Sequence, residues 1–102
     1  MADRIAHFSD LLARQPGNSL FRFSLAQALD AAERRAEAAE NYRLCCATRA
    51  DWMMPRILLG KLLLRAGDPT AARPVLEEAL HLAVEQHHEE PEAELRALLA
   101  SL

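Results

Sequence analysis

The sequence predicts an all-α fold: a stack of about six antiparallel helices in which helix-turn-helix units lean on one another. Three observations point there. The chain holds 20 Ala and 18 Leu against only two Ile, two Val and two Thr, and Ala and Leu head the helix scale whereas β-branched residues favour strands. Its apolar residues recur at i, i+3, i+4 and i+7 through nearly every segment. Turn-forming residues cut it into pieces of helical length.

The elements follow in chain order. The first helix, near residues 2–15, carries Ile5, Phe8, Leu11 and Leu12 on one face and ends at Pro16-Gly17. Asn18 or Ser19 is placed to cap a second, near 19–32, with the stripe Phe21, Leu25, Ala28, Leu29 and Ala32. A third, near 36–48, shows Ala38, Tyr42 and Cys45 in phase. The fourth, near 53–66, is apolar around most of its circumference (Ile57, Leu58, Leu59, Leu62, Leu63, Leu64), the mark of a helix buried on several sides. Asp68-Pro69 is an N-cap acceptor followed by a ring pre-set for the first helical position, and opens a fifth near 69–87. Its stripe is Ala72, Val75, Leu76, Ala79, Leu80 and Ala83. Pro91 opens the last, near 91–101, with Leu95, Leu98, Leu99 and Leu102.

Length and charge bound the function. With 102 residues, 51% of them apolar and 26% charged, the chain suits one domain rather than a disordered tail. The longest leucine run, Leu62-Leu63-Leu64, is far too short to span a bilayer. Adjacent Cys45 and Cys46 cannot build a disulfide framework, and no signal-like start is evident, so a cytoplasmic location is expected. Residues 77–102 carry one basic and seven acidic side chains, which argues against nucleic-acid binding there because phosphate is repelled. Membrane binding is not expected either.

Shifting the chain against itself by 34 residues pairs Arg22 with Arg56, Leu25 with Leu59, Leu29 with Leu63, Ala32 with Ala66 and Ala38 with Ala72. Small residues (Ala26/Gly60, Ala38/Ala72) recur where helices must approach closely, and large ones (Leu25/Leu59, Tyr42/Leu76) where space must be filled. In these positions the chain resembles the tetratricopeptide repeat (TPR) family, as its small bacterial members do. The family pattern W-x2-L-G-x2-Y then A-x3-F reads Arg22-x2-Leu25-Ala26-x2-Leu29 with Ala38-x3-Tyr42, then Arg56-x2-Leu59-Gly60-x2-Leu63 with Ala72-x3-Leu76. Arg stands at the Trp position twice. The resemblance implies a single domain over 1–102: a half-repeat helix at 1–17, repeats at 19–52 and 53–86, and a capping helix at 90–102.

It also implies a function. In TPR proteins the first helix of each pair lines a concave groove that takes a peptide or a partner helix. The residues in those positions are Leu20, Phe23 and Gln27, then Trp52, Met54, Ile57, Lys61, Leu64 and Arg65. The mix is mostly apolar, with Phe23, Trp52, Met54 and Ile57 at its centre, as an exposed interaction patch would be. A non-catalytic module binding a protein or peptide is therefore expected. The competing expectation is a self-associating module, a homodimer or a chain whose own tail covers the groove.

Two further clusters invite other chemistry. His81, His87 and His88 with Glu85 suggest a metal-binding accessory role, but the spacing matches no zinc motif and a polar helix end explains them as well. Cys45 has the apolar phase of its helix and reads as a small hydrophobe, with Cys46 more exposed. No Gly-rich phosphate cradle or nucleophile elbow is present, so no enzyme, cofactor or metal is expected.

Overall fold

The computed structural model describes residues 2–102 and contains, among them, six α-helices and no strand. They are α1 (Ala2–Arg14), α2 (Ser19–Ala31), α3 (Arg35–Thr48), α4 (Met53–Arg65), α5 (Pro69–Glu85) and α6 (Glu89–Ala100). Every one of these falls within two residues of its sequence expectation. The helices gather into two compact units, one reaching to Ala50 and holding α1–α3, the other Asp51–Leu102 and holding α4–α6.

Two helix starts, those of α2 and α5, are made by local side chains. Asn18 Oδ1 accepts from the Leu20 and Phe21 N–H groups, each at 3.1 Å, which satisfies two donors that α2 cannot pair internally. Asp68 does the same for α5, taking the Ala71 N–H at 3.1 Å, with Pro69 in the first turn where no N–H is required.

Three helix ends close through the same backbone device. Glu33, Gly67 and His87 have φ of 61°, 80° and 59°. The residue after each donates back into the helix: Arg34 to the Leu29 carbonyl, Asp68 to Leu63 and His88 to Ala83, each at 2.9 Å. This is the closure in which a left-handed residue turns the chain and pairs orphan carbonyls. The first two instances lie 34 residues apart, so the repeat seen in side chains recurs in main-chain geometry. Gly adopts this φ without strain, whereas Glu33 and His87 do so at a cost of about 1–2 kcal/mol each.

In the first unit, α2 and α3 form a hairpin packed through Leu25, Ala26, Ala28 and Leu29 on one side and Ala38, Ala39, Tyr42 and Cys45 on the other, all buried. α1 packs on α2 and buries Leu12. In the second unit, α4 and α5 form the equivalent hairpin, and α6 packs on α5 through buried Leu95. α4 buries eight positions (Met53, Pro55, Arg56, Ile57, Leu59, Gly60, Leu62 and Leu63), as its all-round apolar character requires.

Arg22 and Arg56, 34 residues apart, each tie their own hairpin together. Arg22 Nη1 donates to Asn41 Oδ1 at 2.9 Å, joining α2 to α3. Arg56 donates from Nη1 to the Trp52 carbonyl at 2.7 Å and from Nε to Glu78 Oε2 on α5 at 3.4 Å. A flat guanidinium with its apolar stem can fill a packed position and still place several donors. The far end of the same hairpin is held by Gln86 Nε2, which donates to the Asp51 carbonyl at 2.8 Å.

Candidate functional site

The sequence expectation places nine residues on one binding surface, and each unit disposes of its own differently. In the first unit, Leu20 in the opening turn of α2 is 60% exposed. Gln27 is exposed as well, while Phe23 is half-buried with its ring tilted 58° against Tyr42 at a centroid distance of 6.1 Å. Tyr42 in turn donates its hydroxyl to Asp30 Oδ2 at 3.2 Å. Phe23 is thus partly a packing residue of its own hairpin.

In the second unit most of the expected residues lie along one stripe of α4, with Trp52 at its N-cap. Met54, Ile57, Lys61 and Leu64 follow one another at three or four positions, which is one face of a helix. Met54 is 42% exposed, Leu64 and Trp52 are half-buried, and Arg65 is exposed. Ile57 departs from expectation. It is only 4% exposed and belongs to the core rather than to a free patch.

The reason is α6. Met54, Ile57, Leu58 and Lys61 of α4 face Glu90, Pro91 and Glu94 of α6 across a depression of about 200 Å³. Ile57 forms its floor, and the exposed Met54 and half-buried Leu58 its α4 side. Lys61 Nζ and Glu94 Oε1 meet at 2.9 Å and join the two helices. Lys61, expected on the binding surface, is therefore already engaged by a carboxylate. α4 and α6 thus share the lining of the recess and are joined by this ion pair.

Leu58, Glu90, Pro91 and Glu94 were not legible as site residues. Leu58 belongs to the continuous apolar run of α4, in which periodicity cannot separate inward from outward positions. The acidic residues of α6 are read from sequence only as a charge that repels nucleic acid, and Glu92 pairs with Arg96 at 3.0 Å on its own helix. Only the tertiary fold brings Glu90 and Glu94 to the recess beside α4.

The other two clusters are placed plainly. His81, His87 and His88 are all exposed, and His81 Nε2 lies 2.7 Å from Glu85 Oε2 one turn along α5. Among the described residues no three His, Cys, Asp or Glu side chains converge as metal ligands would. Cys45 is fully buried, and its Sγ lies 3.9 Å from the Ser19 carbonyl.

Burial is the main reason the Cys45 thiol is pushed up from 9.0 to about 11. Neighbouring Cys46 adds to the shift and Arg22 partly opposes it. Cys45 is therefore a neutral thiol at physiological pH, and reactivity requires the thiolate. Because the folded pKa exceeds the unfolded one, the group's contribution to stability is complete below pH 9 and is lost as pH rises toward 11. Alkylation with iodoacetamide near pH 8 is expected to label half-exposed Cys46 while Cys45 reacts only after denaturation, as peptide mass mapping would show.

Two solved structures share this fold. A chain of a CopN-Scc3 complex superposes with a TM-score of 0.84 and 25% identity over 92% of this chain, which spans just over half, 56%, of that one. The solution structure of protein BPP2914 from Bordetella parapertussis superposes with a TM-score of 0.81 and 25% identity, covering 95% of this chain and 84% of that one. No protein-family model and no curated protein matches the sequence.

Proposed function

We propose that this chain is a non-catalytic protein-interaction module that receives a peptide or helical segment of another protein in the recess between α4 and α6. One observation carries the reading. α4 is an almost wholly apolar helix whose burial is nearly complete, and Met54 is the large apolar residue of that helix left exposed, at the mouth of a recess floored by Ile57. Apolar side chains around a concavity form the usual anchor point of a protein interface.

Other findings support it. The 34-residue period, in side chains and in the helix-closing turns, is the resemblance to the TPR family, whose paired helices serve partner binding. One of the similar structures is a complex between proteins. No helix among the described residues is long and apolar enough to cross a membrane, and we read the chain as a cytoplasmic scaffold.

The test uses peptides selected from a random display library of roughly twelve-residue inserts, long enough for a few helical turns, against the immobilised chain. Met54→Gln keeps the size of the side chain and removes its apolar character. It is expected to weaken binding of the selected peptides about tenfold, the scale of one buried apolar group, while the helical circular dichroism and thermal midpoint stay as in the wild type. Equal binding by the variant would overturn the proposal.

A further inference from the structure

We infer that the segment received by this recess presents one large apolar side chain, of leucine, methionine or phenylalanine size, beside a lysine or arginine that meets Glu90. The inference rests on the recess being the binding site and adds the chemistry of its occupant.

Size comes first. Pockets for small molecules and cofactors occupy about 300–1,000 Å³, and the recess, at about 200 Å³, is smaller. An apolar cavity of about 150 Å³ accepts a benzene-sized guest. The recess therefore has room for a single anchoring side chain. Its lining divides accordingly: Met54, Ile57, Leu58 and Pro91 supply an apolar surface, and Lys61, Glu90 and Glu94 are its charged residues.

Charge comes next. Lys61 and Glu94 neutralise one another at 2.9 Å, and Glu90 forms no ion pair among the described residues. The lining is therefore left with a net single negative charge, carried by Glu90. The positive end of the α6 macrodipole offsets roughly half a charge, against three carboxylates in that turn, Glu89, Glu90 and Glu92, of which Glu92 is held by Arg96. With residues 77–102 holding seven acidic side chains and one basic, the local field favours a cationic partner and repels an acidic one.

The same library selection tests this. Selected peptides are expected to share a large apolar residue with Lys or Arg within about one helical turn of it. Measured by fluorescence anisotropy, Glu90→Gln is expected to weaken them about threefold and Glu90→Lys about tenfold, the scale of an exposed charge pair and its reversal. Raising the salt from about 50 to 300 mM should weaken the wild type more than Glu90→Gln, because screening acts on the charge that the variant lacks. Circular dichroism confirms that both variants fold.

Peptides that depend on Met54 but lack a basic residue and ignore Glu90→Lys overturn the inference and leave the recess as the site. Peptides indifferent to both Met54→Gln and Glu90→Lys, or a selection that enriches none, overturn the inference and the proposed function together.

Discussion

Truncating Leu76 to alanine is expected to lower stability by about 3–5 kcal/mol, the upper part of the range for a buried leucine. Leu76 is fully buried, and its side chain lies over Gly60 on the facing helix. A Cβ built on Gly60 would stand 2.6 Å from Leu76 Cγ and closer still to Cδ2. The absence of a side chain at Gly60 is thus what admits the leucine, and removal of the leucine leaves a void that the glycine cannot fill.

The reverse substitution tests the same contact from the other side. Gly60→Ala gains about 1 kcal/mol of helix propensity but crowds a leucine with no room to move, at about 1–3 kcal/mol. A net loss of order 1 kcal/mol is expected. In the double variant the added methyl enters space that Leu76 has vacated, so the combined loss should fall below the sum of the two by about 1–2 kcal/mol. Residues in direct contact couple on this scale, and urea unfolding of the four chains measures it. Strict additivity would show that Gly60 and Leu76 do not share a crossing point.

Ile57→Ser is the second large effect. The side chain is almost wholly buried, and exchanging it for a short hydroxyl removes apolar contact and leaves a polar group at the recess floor. A loss of about 2–4 kcal/mol is expected, a fall in thermal midpoint of roughly 10–25 °C for a chain of this size. Met54→Ser, one helical turn away and 42% exposed, should cost under about 1 kcal/mol. The pair separates what holds the fold from what faces a partner. Equal melting of the two variants would place Ile57 outside the core.

The helices were legible because their signals are local. Asn18 and the Asp68-Pro69 pair announce helix starts by chemistry that acts within three residues, and the structure shows both caps formed. Leu25, Tyr42, Leu76 and Ala79 announce buried faces by spacing, and all four are buried. The left-handed turns at Glu33 and His87 carry no such signal, since neither residue prefers that conformation; only Gly67 does. Ala32 was expected on the buried stripe of α2 and is exposed, because the helix has ended and Ala32 is its C-cap.

The recess was harder to read for a different reason. Ile57 and Met54 share one stripe, and the resemblance to the TPR family implies one role for both. Met54 is exposed and Ile57 buried, and the recess beside them is completed by Glu90, Pro91 and Glu94 from a helix some thirty residues away, with the Lys61–Glu94 ion pair a tertiary contact. Likewise Arg22 and Arg56 read as losses of an aromatic residue. The structure shows each instead as a donor reaching from one helix of its hairpin to the other.

Methyl chemical-shift mapping tests the central claim most directly. The full chain, labelled at Met, Leu and Ile methyl groups, is titrated with a library-selected peptide. The account expects the largest shifts at Met54, Ile57 and Leu58, with Leu76 and Leu62 of the core moving least. Shifts centred elsewhere, with these three methyl signals unmoved at saturation, would contradict it.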